Sequence, residues 1–450
     1  DSCVTLRSLM PPMPLRQIEV RVDSRKTFQR IDGFGVNLNS KYWEGGALAP
    51  VLETLVDDLG CTLFRQDAWG KSDWPDPAGT LGKAALAPAH LARVYEDPVF
   101  ANARAVAGWL NGRGLEPYLT LSGVVPRWMC AADGKTLKDR AAFAAMAASY
   151  AEWARKQAGV RFTLFGPLNE TDIGPPEGPA VGPRDYVTTC EALVAALDAR
   201  GLRDVKLVVP EQANYRLPYV DHILKSKKLV GRIGAFGIHT YGDGDAGAVV
   251  AQGRKSPSRG VPVWMTEFGD LDESGEREWP VAWNSVVRLL DLLGAGLNAA
   301  LFWDAFDNYH DHDESWSIYG LIRRGIRMWT PKKRYHAVRH VFRFVRPGAV
   351  RVAADAGHPD LLVRAFRSAD GRDLTVVGMN RSESALSLNL AVDGMEKPFT
   401  ARRADVYRTT EELSCALVAT VPVTSSNWPY TGIEVIALPR SIFTTTTIRP

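Results

Sequence analysis

Cysteine is scarce in this chain: Cys3, Cys61, Cys130, Cys190 and Cys415, scattered and odd in number over 450 residues. No Cys-x-x-Cys pair occurs, which speaks against a zinc site and against a dense disulfide framework. Long apolar runs are missing as well; no stretch of 18 apolar residues occurs, so no membrane-spanning segment is expected. Charge of one sign is not in excess. The formal net charge is +3 and no basic block stands out, which argues against nucleic acid as the main partner. Residues Asp1 to Arg16 lack a charged-then-apolar leader and read as a tail.

What the chain does have is a globular balance, 46% hydrophobic and 23% charged, and 13 tryptophans. Tryptophan stacks on sugar rings as readily as on other apolar faces, so this abundance gives some support to a carbohydrate site. The length suits two domains, a barrel of about 300 residues and a further domain of about 100.

Two segments share one construction. Phe162-Thr-Leu-Phe-Gly-Pro-Leu-Asn169-Glu170 and Val261-Pro-Val-Trp-Met-Thr-Glu267 are each an apolar strand that closes on a carboxylate. An apolar run of that length fits a parallel strand covered on both faces. About three βα units of roughly 30 residues each fit between the two glutamates. They therefore read as closing the fourth and seventh strands of a barrel. Two carboxylates facing each other across a barrel mouth are the equipment of glycoside hydrolysis.

The rest of the chain fills in the units. Other strands read at Phe28–Asn37, Cys61–Asp67, Leu115–Ser122, Val205–Glu211, Ile233–Tyr241 and Leu297–Asp304, with helices such as Arg140–Gln157 and Asp185–Arg200 between them. Eight such units predict a (β/α)8 TIM barrel over 28–345. From Arg346 to the end only short strands split by turns appear, which predicts an accessory β-sandwich over 346–450. The alternating strand near Ile18, within 1–27, has no helix after it and is expected to join that sandwich.

The residues closing these strands include Arg65, Asp67, Ser122, Asn169, Glu170, His239, Tyr241, Glu267 and Trp303. Together with Gln29-Arg-Ile-Asp-Gly-Phe-Gly35, Ser122-Gly-Val-Val-Pro-Arg-Trp128-Met129, Trp264-Met-Thr-Glu267 and the late strand Val435-Ile-Ala-Leu-Pro-Arg-Ser-Ile-Phe-Thr, this resembles the retaining glycoside hydrolases of clan A, most closely family 30. The resemblance covers nearly the whole chain. It implies Glu170 as general acid/base, Glu267 as nucleophile and Asn169 as a partner of the sugar 2-hydroxyl. It implies that Arg65 and Tyr241 orient an ionised Glu267 and that Trp303 floors the glycone subsite. Thr171 stands where many members carry proline.

Asp67, His239 and Trp128 are further substrate-binding candidates, Trp128 as a subsite wall. Glu211 also closes a strand and competes weakly for the acid role. His310-Asp311-His312-Asp313-Glu314 allows a metal reading, but a polar loop meeting substrate hydroxyls is favoured, since retaining hydrolysis needs neither metal nor cofactor. Arg323, Arg324 and Arg327 either face solvent or read an acidic sugar branch. The expected partner is an oligosaccharide or polysaccharide cut at a β-linkage, and the expected state a secreted monomer or small homo-oligomer. The alternatives are an α-L-arabinofuranosidase and a catalytically inactive carbohydrate-binding protein.

Overall fold

The structure is a computed structural model. It describes residues 15–67, 70–214, 217–239, 247, 250–251, 260–271, 278–325, 328–394, 401–424 and 431–449. The chain divides into two compact units. One is Phe28–Val350; the other joins residues up to Thr27 to Arg351–Arg449.

The first unit is a closed parallel barrel. After β1 (Arg16–Arg30), its strands in order are β2 (Gly33–Asn39), β3 (Leu63–Asp67), β4 (Tyr118–Thr120), β5 (Leu164–Gly166), β6 (Lys206–Gln212), β7 (Ile233–His239), β8 (Val263–Phe268) and β9 (Ala299–Phe302). β2 closes the circle on β9, with Gly33 opposite Ala299. The expected strand at Leu115–Ser122 shrinks to three residues, because Pro117 has no N–H for a ladder. The unit extends to Val350 rather than 345, since Ile31 N–H donates to Ala349 O and Gly348 N–H to Ile31 O, both at 2.7 Å.

Local chemistry sets the helices. Asp139 caps Arg140–Glu152 by accepting from Ala142 N–H at 3.0 Å, and the alanine-rich body needs no further help. The helical stretch before β4 is split by Asp97-Pro98: the Asp97 carboxylate caps Val99 N–H at 2.9 Å and proline takes the first helical position of Pro98–Gly112. The loop after β9 contains two short strands, β10 (Asn308–His310) and β11 (Ser315–Ser317), paired antiparallel with Tyr309 opposite Trp316. A second small ribbon pairs β12 (Ile322–Arg324) with β13 (Trp329–Pro331).

The second unit is a nine-stranded sheet that folds over its own core. β14 (Val350–Asp355), β15 (Leu361–Arg367), β16 (Leu374–Asn380), β17 (Leu386–Asp393), β18 (Arg403–Thr409), β19 (Ala416–Pro422), β20 (Thr431–Ala437) and β21 (Ser441–Thr446) hydrogen-bond in the order β19-β18-β21-β16-β15-β14-β1-β17-β20. β1 runs parallel to β17, with Ile18 opposite Leu388. Alternate residues Ile18, Val20 and Val22 join Leu386, Leu388 and Leu390 in one aliphatic cluster. The TIM barrel with an accessory sandwich-like domain is therefore the observed fold.

Candidate functional site

The carboxyl ends of the barrel strands carry the polar residues, and register decides which of them meet. Asn37 lies opposite Arg65 across β2 and β3, and His239 opposite Glu267 across β7 and β8. Arg65, only 3% exposed, is the hub. Its Nη1 donates to Glu267 Oε1 at 2.5 Å and to Asn37 Oδ1 at 2.9 Å. Nη2 donates to Asn169 Oδ1 at 2.8 Å, and Nε lies 3.0 Å from Glu211 Oε1. Burial opposes the guanidinium charge, but the carboxylates of Glu211 and Glu267 outweigh it and hold Arg65 cationic well above its ordinary range.

His239 links the carboxylates. Its Nδ1 is 2.6 Å from Glu170 Oε1 and 3.4 Å from Glu267 Oε2, and Nε2 is 4.0 Å from Glu211 Oε1. Burial works against an imidazolium, yet Glu267 and the contacts with Glu170 and Glu211 push the ring up to about 10. Glu211 is buried, and burial works against its charge, but Arg65 and His239 pull its carboxyl below the ordinary value. Burial holds the Glu267 carboxyl above its ordinary value against the opposing pull of His239 and Arg65. One oxygen of Glu170 and one of Glu267 lie within 4.8 Å of each other and of a His239 nitrogen.

Two backbone features set Glu170. It has φ +40 and its N–H donates to Glu211 O at 2.9 Å, so the strand ladder continues past the end of β5 into a strained turn. Beneath it, Gly166 makes room for the buried polar layer: a Cβ there would lie 2.3 Å from the Tyr118 hydroxyl and 2.4 Å from Glu211 Oε2.

These groups line or underlie a cavity of about 330 Å³ at the barrel mouth. Arg65, Asp67, Asn169, Glu170, Glu267 and Trp303 all line it. His239 sits just behind, fully buried. Asp67 accepts from Gly70 N–H at 2.7 Å and from the Ser122 hydroxyl. Trp128 lies half-buried in a short 3-10 turn (Arg127–Met129) with its indole N–H buried, and does not line this cavity. Tyr241 and Arg327 lie outside the described residues. Arg324 stacks on Tyr42 with its guanidinium carbon 4.0 Å from the ring centre, and neither it nor Arg323 lines the cavity.

Some cavity residues carried no clear signal in the sequence. Asn37 had one in hindsight, as the polar residue closing the first strand of the barrel. Asp304 is buried, accepts from Asn308 Nδ2 at 2.7 Å, and is raised to about 7 by burial. Its Oδ1 has no protein partner. Glu177, from the loop after β5, meets His312 Nε2 at 3.1 Å. Nothing local in the sequence joins residues so far apart. Among the described residues, the only grouping of three close ligand atoms is Glu170, His239 and Glu267; the His310–Glu314 stretch does not gather one.

No protein-family model matches the chain. A glucuronoxylanase, XynC of Bacillus subtilis, is 24% identical over 202 residues, 43% of each chain. A putative glucosylceramidase 1 of Caenorhabditis elegans is 22% identical over 218 residues, 43% of this chain and 39% of that protein. The chain thus spans less than half the length of the curated relatives it matches. The fold match is broader. A family 30 endoxylanase from Clostridium papyrosolvens superposes with a TM-score of 0.71 at 18% identity, over 95% of this chain and 99% of that one.

The chain has the fold of glycoside hydrolase family 30.

SrfJ from Salmonella typhimurium gives the same TM-score at 13% identity, over 96% and 93% of the two chains. The family 30 fold thus persists across very different sequences, and what this chain does with it depends on the residues at its mouth.

Proposed function

We propose that the protein is a retaining glycoside hydrolase acting on a β-linked glycan, with Glu267 as nucleophile and Glu170 as acid/base. The observation that carries this reading is the close pair itself. An oxygen of Glu170 and one of Glu267 within 4.8 Å of each other fit the ~5–5.5 Å carboxyl separation of double displacement better than the ~6.5–9.5 Å of inverting enzymes. The relatives named above include glycan-active enzymes, which agrees with this reading.

Charge balance distributes the roles. Arg65 and an imidazolium at His239 bring two positive charges to the layer. Glu211, held ionised, takes one, and a Glu267 carboxylate takes the other. Glu267 attacks the anomeric carbon while Glu170 gives its proton to the departing oxygen. Once the ester forms, Glu267 is neutral and Glu170 can deprotonate the incoming water. Asn169, oriented by Arg65, presents its Nδ2 at the cavity wall, where it donates to Glu177 O at 3.2 Å. Secretion follows as part of the proposal, since a polysaccharide substrate lies outside the cell.

Replacing Glu267 by Ala removes the nucleophile. Hydrolysis of aryl β-glycosides is expected to vanish and azide to restore it, giving the glycosyl azide of inverted configuration. In Glu170→Ala, turnover of activated aryl glycosides is expected to survive and azide to give the retained product. If azide yields the same configuration in both variants, the assignment is wrong.

A further inference from the structure

The stretch Asn308–Ser317 reaches back over the cavity from the end of β9, and it is tied at three places to three different loops. Lys41 Nζ, after β2, is 2.6 Å from Asp311 Oδ2. Lys71 Nζ, after β3, is 2.9 Å from Glu314 Oε1. His312 meets Glu177 of the loop after β5. The loops converge without slack. Gly123, at φ +73, donates its N–H to Glu177 O at 2.9 Å. A Cβ on Gly123 would lie 2.9 Å from Gly70 O and from Lys71 Cα, and 3.5 Å from His312 Cβ.

The strap also covers Trp303. His310 stacks on the indole with ring centres 5.0 Å apart and an interplanar angle of 22°, and its Nε2 is fixed 2.7 Å from the Ser317 hydroxyl. One face of Trp303 is thereby used by protein. The cavity, about 330 Å³, is at the low end of the ~300–1,000 Å³ of small-molecule sites.

The wall is acidic. Asp67, Glu177, Asp304, Asp311 and Asp313 line the cavity besides the catalytic pair. Among the described residues, the cations that approach it are committed: Arg65 to Glu211 and Glu267, His312 to Glu177, Lys41 to Asp311. Carboxylates accept hydrogen bonds from sugar hydroxyls, whereas a uronate placed among them meets like charge.

Resting on the hydrolase reading above, we propose that the Asn308–Ser317 strap closes the glycone side into a blind pocket, so that the enzyme removes single uncharged sugar residues from non-reducing chain ends. An endo-acting enzyme needs a cleft open on both sides of the cleaved bond, and here His310 to Asp313 stand in the lining on the side of Trp303.

The test uses the full chain and neutral β-linked oligosaccharides labelled at the reducing end, with aryl β-glycosides alongside. The expected first products are a free monosaccharide and a labelled oligomer one unit shorter, with the aryl β-glucuronide turned over more slowly than the best neutral aryl glycoside. Lys41→Ala with Lys71→Ala removes two partly exposed ties outside the cavity lining. Internal cleavage relative to end release is expected to rise in that variant, by up to about tenfold. Internal fragments appearing first with the native protein, a preferred glucuronide, or an unchanged ratio in the double variant would each overturn the proposal while aryl glycosides are still cleaved. No turnover of any aryl glycoside would overturn the hydrolase reading beneath it.

Discussion

In the curled sheet of the second unit, Leu386, Leu388, Leu390 and Val392 of β17 are all buried in one hydrophobic cluster. At the mouth of the barrel, Arg65, Glu211, His239 and Glu267 are buried just as deeply, with 4% or less of each exposed. The first arrangement is what burial ordinarily selects, since each aliphatic side chain taken from water contributes roughly 1.5–3 kcal/mol. The second runs against it. Buried charges cost several kcal/mol each unless paired, and replacing such networks with apolar side chains often stabilises a protein. Four mutually paired charges beneath one cavity therefore point to chemistry rather than to stability.

That contrast can be broken, and the largest effect is expected at the hub. Arg65→Ala leaves Glu211 and Glu267 buried without their guanidinium. Stability should fall by about 3–5 kcal/mol in urea titrations, and glycosidase activity should be lost in the protein that remains folded. A full-strength enzyme after this change would separate the charge layer from catalysis and sink the comparison. In the sheet, Leu388→Ala is expected to cost a similar or slightly smaller amount, about 2–5 kcal/mol, through the cavity it leaves. There kcat measured below the unfolding transition should stay unchanged, because no polar group of the site is touched.

The smallest and sharpest test uses pH. His239 titrates near 10 in the folded protein and, when unfolded, near the ordinary value of about 6.5. A raised pKa in a base means the folded state binds the extra proton, so its contribution is fully present below pH ~6.5 and is lost as pH rises through about 10. The stability gap between the native protein and His239→Gln should thus be widest near pH 6 and shrink steadily towards pH 10. A gap that widens with pH would show that the ring is neutral in the fold and that the charge balance assigned to the site is wrong.

Both the barrel and the pair Glu170 and Glu267 were legible in the chain because each strand is an apolar run stopped by a polar residue, and that pattern is local. So were Arg65, Asp67, Asn169 and Trp303, which close strands and line the cavity. Trp128 was not placed by the sequence, because an aromatic beside a strand end looks the same whether or not it lines the cavity. Glu211 shows the limit from the other side. It closes a strand like Glu170 and Glu267, yet the irregular register at the end of β6 places it under the mouth, where it balances Arg65.

The sequence by itself determined where the strands stop and which carboxylates stand at their ends, since hydrophobic periodicity and strand termini are read over a few residues. Only the tertiary structure decided that Glu177 meets His312, that Lys41 and Lys71 pair with the Asn308–Ser317 strap, and that Asp304 lines the cavity. Those contacts join loops from different strands. Nothing near either partner in the chain specifies them; they arise when the barrel closes and brings the loop ends to one rim.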